Sequence, residues 1–169
     1  MRSTVAELHP AVLEQAGLAA ALRELADRSA AAGRIDVAVE LDGWDARLRT
    51  DADRLLYATA RELLTNVVKH ARAKTARVVL AHHDGHAGLA VTDDGRGIPM
   101  GAVSAAVGAG HIGLASYRVR IEAAGGTFAI GEAEPSGTVI RVELPARATT
   151  TPVLGQSADI PADAEAAGG

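Results

Sequence analysis

Side chains that suit a nucleotide occur in three short stretches of this chain. A helix-patterned segment, residues 61–70, carries carboxylate, amide, amino and imidazole groups. A carboxylate follows an apolar run in residues 93–97 (D-D-G-R-G), and residues 108–114 (G-A-G-H-I-G-L) are rich in glycine. An amide oxygen suits Mg²⁺, a cation suits phosphate oxygens, and glycines let the backbone approach a ligand. In this order the three stretches predict one nucleotide-binding pocket.

The first stretch places four functional groups at helical spacing. Glu62, Asn66 and either Lys69 or His70 are separated by four and then three or four residues, so they are expected to share one helix face. The Asn66 oxygen is a candidate Mg²⁺ ligand, Lys69 and His70 are candidate phosphate ligands, and Glu62 is a candidate base. The alternative is a solvated helix face, which the spacing taken alone favours.

The other two stretches are candidates for the base and the phosphates. Asp93 ends an apolar strand pattern, where its carboxylate can accept a hydrogen bond from an adenine amine, while Gly95 and Gly97 let the chain turn beneath the base. The alternative is a tight turn. The glycines of residues 108–114 lead into a helix near Leu114, whose backbone N–H groups could hold a phosphate. The alternative there is a flexible surface loop.

Composition excludes several other classes of protein. The 169 residues are 48% hydrophobic, which predicts one domain with its own core. There is no cysteine, so disulfides and thiolate metal sites are excluded. A net charge of −4 and only 2% aromatic residues disfavour nucleic acid as a partner. No apolar run approaches the roughly 20 residues of a membrane span, and no signal peptide is evident, so we expect a cytoplasmic segment without membrane contact.

Hydrophobic periodicity predicts an α+β fold of two layers, in which a mostly antiparallel sheet packs against helices. Residues 147–169 lack this periodicity and predict a disordered tail or the start of a linker. The P-loop and Rossmann glycine patterns are absent. The expected helices are residues 8–32 with Gly33 as C-cap, a helix capped by Thr50 or Asp51 and extending to residue 71, and residues 114–124. The expected strands are residues 35–41, a short one at Leu48, 75–81, 87–92, 127–130 and 138–144. The strands 75–81 and 87–92 are expected to be joined by a turn at Asp84-Gly85.

The three stretches together resemble the motifs of the GHKL ATPases. Residues 62–71 resemble their N box, residues 93–97 their G1 box and residues 110–114 their G2 box. Residues 137–145 are similar to the final strand of that fold. The K-H-A of residues 69–71 and the G-H-I-G-L-A-S-Y-R-V-R that begins at Gly110 resemble the NarL-type sensor histidine kinases more specifically. The resemblance covers about residues 7–145.

This resemblance implies a Bergerat fold that binds ATP with Mg²⁺ and donates the γ-phosphoryl group to a histidine. It implies a division into the end of a dimerisation and phosphotransfer helix with its linker (1–32), an ATP-binding catalytic domain (33–146) and a tail (147–169). The implied partners are ATP or ADP, the phosphotransfer domain of a homodimeric parent kinase that could be membrane-anchored, and a response regulator. The implied roles are Glu62 as catalytic residue, Asn66 as metal ligand, and as ATP-binding residues Asn66, Lys69, His70, Asp93, Gly95, Gly97, Ile98, Gly110, His111, Gly113, Leu114 and Thr138.

One departure from the family pattern, one separate group of histidines and two alternative functions accompany this interpretation. His9 is followed by Pro10 rather than by the acidic residue that orients the family's phosphoacceptor, so we expect His9 to be structural and the acceptor helix to lie outside this chain. His82, His83 and His86 flank a predicted turn, but no further ligand at a suitable spacing supports zinc. An anti-sigma-factor serine kinase of the same fold and a non-catalytic interaction module remain the alternative functions.

Overall fold

The fold was obtained as a computed structural model, which describes residues 8–98 and 112–149. The helix that was predicted to run from Asp51 or Thr50 to residue 71 changes type after Asn66, and residues 67–71 form a π-helix. The elements in chain order are α1 (Leu8–Ala16), α2 (Leu18–Gly33), β1 (Asp36–Asp42), α3 (Asp53–Asn66), the π-helix (Val67–Ala71), β2 (Thr75–His83), β3 (His86–Asp93), α4 (Ile112–Ala123), β4 (Thr127–Glu132) and β5 (Thr138–Pro145).

The five strands form one sheet in the order β1-β2-β3-β5-β4. Only β1 and β2 pair in parallel; the other neighbours are antiparallel. Helix α2 packs on β1, α3 on β3, and α4 on β4 and β5. Alternate residues of β3 are buried beneath the helices, which is the period-two pattern of a sheet covered on one face. The predicted two-layer α+β fold is therefore confirmed.

The predicted N-terminal helix is two helices, because the chain breaks at Gly17. Gly17 has a φ of 88°, and the guanidinium group of Arg49 occupies the space that a Cβ would need there. The prediction of Gly33 as C-cap is wrong by one residue, since Arg34 takes the left-handed conformation with a φ of 52°. Leu18 and Leu22 are fully buried in the core shared with the sheet, so the core extends across the boundary predicted at residue 33.

A closed turn precedes α3 in place of the strand that was predicted at Leu48. The Thr50 hydroxyl accepts a hydrogen bond from the Ala52 N–H at 3.2 Å and donates one to the Asp53 carboxylate at 2.6 Å. Asp53 in turn accepts the Thr50 N–H at 3.2 Å. The formal N-cap, Ala52, contributes no side-chain hydrogen bond, so Thr50 stabilises the start of the helix from two residues upstream.

The chain after β5 continues to pair with this turn. Ala146 is buried, the Arg147 N–H donates to the Asp51 carboxylate at 2.9 Å, and Thr50 forms an isolated bridge with Ala148. Residues 147–149 of the predicted tail are therefore hydrogen-bonded, while residues 150–169 lie outside the described part of the chain.

The turn at Asp84-Gly85 agrees with the sequence prediction, and a second tight turn leads into β5. Asp84 and Gly85 have φ angles of 50° and 76°, as a tight two-residue hairpin turn requires. Gly137 has a φ of 112°, and a Cβ there would collide with the Asp93 carbonyl oxygen, so only glycine lets β5 begin against the end of β3. Each helix that the structure describes is too short or too polar to cross a bilayer.

Candidate functional site

Helix α3 and the π-helix form one wall of a cavity at the edge of the sheet where β3 ends. Hydrogen bonds of a π-helix join residues five apart, so each residue advances less around the axis than in an α-helix. His70, the fourth residue after Asn66, therefore lies on the same side of the helix as Asn66. Lys69, the third residue, points to a different side. In agreement, His70 lines the cavity, whereas Lys69 is exposed and does not line it.

Asp93 presents a buried carboxylate to this cavity. Its side chain is 6% exposed, and one carboxylate oxygen accepts the Gly95 N–H at 2.8 Å. Burial raises the pKa of Asp93 above its ordinary value; hydrogen bonds from the backbone of Gly95 and Thr138 act against this rise, and the charge of Asp94 adds to it. A carboxylate accepts about four hydrogen bonds, so Asp93 keeps capacity for a donor in the cavity.

The neighbouring carboxylate, Asp94, has a structural role instead. It accepts the backbone N–H groups of Lys74 at 2.8 Å and Thr75 at 2.9 Å, which ties the loop to the first residues of β2. The hydrogen bond from the Thr75 backbone, followed by that from Lys74, holds the pKa of Asp94 below its usual value. Asp94 is exposed and does not line the cavity, so the two adjacent aspartates have separate functions.

The loop after Asp93 is held against the end of the π-helix. The Arg96 N–H donates to the Ala71 carbonyl at 2.9 Å, and a Cβ on Gly95 would collide with that same carbonyl oxygen. Gly97 follows with a φ of 75°. Close backbone contact therefore explains Gly95, and a left-handed conformation explains Gly97.

The cavity has a volume of about 360 Å³, which lies in the range of small-molecule sites. Most of its wall is apolar and comes from α3, the π-helix, β3, β5, the loop after β3 and the first turn of α4, which suits a flat ring system. Polar groups enter from α3, the π-helix, the loop after β3 and the start of β5. The lining residues are Leu63, Asn66, Val67, His70, Ala71, Val91, Asp93, Arg96, Gly97, Ile98, Leu114, Thr138 and Ile140.

Seven of the predicted site residues line this cavity together: Asn66, His70, Asp93, Gly97, Ile98, Leu114 and Thr138. Glu62, Lys69, Gly95 and Gly113 do not line it. Gly113 lies directly against Glu62. A Cβ added to Gly113 would collide with the Glu62 carboxylate. Gly110 and His111 lie outside the described residues.

Sequence reasoning missed Arg96 and five of the apolar lining residues: Leu63, Val67, Ala71, Val91 and Ile140. Helical and strand periodicity is the same for an apolar side chain that faces the core and for one that lines the cavity, so it could not separate the two. Arg96 lies inside the D-D-G-R-G stretch, and its position next to Asp93 was the available signal.

The three histidines at the far hairpin do not assemble a metal site in the described residues. No group of three or more His, Cys, Asp or Glu side chains there is arranged to hold a metal ion. His83 lies 3.3 Å from the Asp42 carboxylate, and His82 packs edge-on against Trp44. Trp44 is 6% exposed and belongs to the hydrophobic core.

Comparison with known proteins identifies the class to which this fold and cavity belong. Residues 50–148 match the family model described as histidine kinase-, DNA gyrase B- and HSP90-like ATPase. The chain therefore belongs to this family of ATPases, and the matched residues contain α3, the π-helix and Asp93. The predicted resemblance to the GHKL ATPases is confirmed.

The individual relatives are sensor histidine kinases. Sensor histidine kinase NarS of Mycobacterium tuberculosis is 43% identical over 145 residues, which are 86% of this chain and 33% of the relative. Sensor histidine kinase LiaS of Bacillus subtilis is 32% identical over 145 residues, 86% of this chain and 39% of the relative. The solved mycobacterial sensor histidine kinase MprB is 26% identical with a TM-score of 0.54, covering 76% of this chain and 96% of that one. This chain thus spans 33% and 39% of the length of these two curated relatives.

Proposed function

We propose that this chain is the ATP-binding catalytic domain of a sensor histidine kinase and donates the γ-phosphoryl group of ATP to a histidine of a phosphotransfer domain. The buried Asp93 at the end of an apolar cavity carries the proposal. In this position a carboxylate with spare hydrogen-bonding capacity can select the exocyclic amine of adenine, and the apolar wall can bury the ring. The similarity to NarS and LiaS supports the histidine kinase class.

Asn66 would hold Mg²⁺ when the nucleotide is bound. It lines the cavity, is partly buried, and its amide forms no hydrogen bond to any residue that the structure describes. An amide oxygen left open towards a cavity fits a hard cation that also binds phosphate. The metal would neutralise charge on the phosphates, while Asn66 orients it from the helix wall.

Glu62 and His70 complete the proposed site from the same wall. Glu62 lies one helical turn before Asn66, outside the cavity and beside the start of α4, where an acceptor histidine could approach it. In the transfer the bond between the γ-phosphorus and the bridging oxygen breaks, a phosphorus–nitrogen bond forms, and ADP leaves. Glu62 would accept the proton that the imidazole loses. His70 lines the cavity, where it would contact the nucleotide.

Incubation with γ-labelled ATP, Mg²⁺ and an inactive parent kinase that retains its acceptor helix tests this proposal. We expect slow labelling of the partner in trans, because docking is bimolecular without a covalent tether. The label should be acid-labile, as phosphohistidine is. Acid-stable label on serine would instead support the serine kinase alternative, and ATP binding without any transfer would support a non-catalytic module.

A further inference from the structure

Arg96 lies in the loop after β3, and its backbone has a defined position on the cavity wall. Its N–H donates to the Ala71 carbonyl at 2.9 Å, so its backbone is fixed to the end of the π-helix. The close contact of Gly95 with the same carbonyl and the left-handed Gly97 hold the loop on either side of it. Its side chain lines the cavity while remaining exposed, which leaves the guanidinium accessible to a ligand.

The charge of Arg96 is not neutralised within residues 8–98 and 112–149, where its guanidinium forms no hydrogen bond or ion pair. This is notable because two carboxylates precede it in the same loop. Asp93 is hydrogen-bonded by Gly95, and Asp94 by Lys74 and Thr75. Because the Arg96 guanidinium pairs with neither of these carboxylates, it is available to bind an anionic ligand.

Among the described residues that line the cavity, Arg96 is also the only Lys or Arg. Lys69, for which the family resemblance implies a phosphate contact, is exposed and lies off the wall. We infer that Arg96 binds the phosphate chain of the nucleotide and supplies the permanent positive charge of this site. The inference rests on the proposed ATP-binding function and adds a residue that positions the phosphates. A guanidinium suits this role because it can donate two parallel hydrogen bonds to one phosphate group.

Calorimetric titration of three variants with ATP and with adenosine tests the assignment. Arg96→Gln should weaken ATP binding roughly tenfold, as expected for one charge-assisted contact, and leave adenosine binding unchanged. Arg96→Lys should recover most of the ATP affinity, because a point charge still attracts phosphate. Arg72→Gln is the matched control: Arg72 is exposed and follows the π-helix, but does not line the cavity, so both affinities should stay near the wild type.

Three outcomes would overturn the assignment and leave the proposed function intact. Unchanged ATP affinity in Arg96→Gln would show that Arg96 does not contact the phosphates. Equal losses of affinity for ATP and for adenosine in Arg96→Gln would mean that the guanidinium contacts the nucleoside. A loss of ATP affinity in Arg72→Gln equal to that in Arg96→Gln would mean that ATP responds only to the net positive charge of this surface. Failure of the wild-type chain to bind ATP would instead contradict the proposed function, and this assignment with it. Thermal unfolding of each variant shows whether the exposed substitutions leave the fold intact.

Discussion

Asp53 and Asp93 are buried carboxylates near opposite ends of α3, and only Asp93 lines the cavity. Their side chains are 7% and 6% exposed, and burial raises the pKa of both. The 14 residues of α3, about 20 Å of helix, run from Asp53 to the cavity that contains Asp93. Asp53 is enclosed by its hydrogen bonds to Thr50, whereas Asp93 opens onto a cavity. Burial and a raised pKa therefore do not identify a site unless a ligand has access.

The surroundings of the two carboxylates differ in the same way. Around Asp53 the polar groups pair with one another, as Asp51 does with the Arg147 N–H and Thr50 with Ala148. Around Asp93, the side chains of Asn66 and Arg96 have no hydrogen-bonding partner among the residues that the structure describes. One end of the sheet is closed by the protein itself, and the other has polar groups available for a ligand.

Removal of the Asp93 carboxylate should have the largest effect on binding. A hydrogen bond to a charged group contributes about 1.5–3 kcal/mol, so Asp93→Ala should weaken ATP binding at least tenfold. Asp53→Ala should leave the affinity unchanged, because Asp53 lies at the far end of α3. Calorimetric titration with ATP measures the affinity of both variants. An unchanged affinity in Asp93→Ala would contradict the assignment of Asp93 to the adenine amine.

The next effect concerns the metal. Asn66→Ala should abolish the part of ATP affinity that depends on Mg²⁺ and leave binding of metal-free ADP nearly unaffected, because the amide serves the ion. Titrations with Mg²⁺ and with a chelator separate the two contributions. Equal losses under both conditions would show that Asn66 contacts the nucleotide directly.

Asp53 should affect stability and not binding. Asp53→Ala removes the acceptor for the Thr50 N–H and hydroxyl, so the free energy of unfolding should fall by about 1 kcal/mol. Asp53→Asn keeps an acceptor oxygen and should lose less. Denaturant unfolding measures both variants, and a loss of ATP affinity in Asp53→Ala at full folding would contradict the comparison.

A smaller effect should appear in the pH dependence. The folded pKa of Asp93 is raised, so the folded protein binds its proton more readily than the unfolded chain does. The ionised carboxylate therefore costs stability at neutral pH, and this cost disappears as pH falls below the ordinary carboxyl pKa of about 3.9. Asp93→Asn should be more stable than the wild type at neutral pH, and the difference should shrink on acidification.

The same protonation should weaken adenosine binding, since a protonated Asp93 is a poorer acceptor for the adenine amine. Wild-type affinity for adenosine should fall as pH falls through the raised pKa, and Asp93→Asn should lack this step. Adenosine is the suitable probe because it carries no titrating phosphate. A parallel decline in both proteins would assign the pH dependence to another group.

Local sequence patterns sufficed for most of the fold. The hairpin at Asp84-Gly85 follows from two residues that tolerate positive φ, and the strand limits from period-two alternation. The order of the polar motifs was enough to predict Asn66, His70 and Asp93 as neighbours, because helix spacing and strand ends determine where such side chains point. These features depend on residues a few positions apart, which is the distance over which backbone preferences act.

Only the tertiary structure decided the features that join distant parts of the chain. At the break, Gly17 lies against the guanidinium group of Arg49, and the closed turn at Thr50 is completed by residues 147–149. The π-helix, which directs His70 rather than Lys69 into the cavity, ends at Ala71, whose carbonyl is bound by the Arg96 N–H. The sequence by itself therefore determined which residue types were available for a nucleotide. Contacts between residues far apart in the chain selected which of them line the cavity, because neither periodicity nor propensity carries that information.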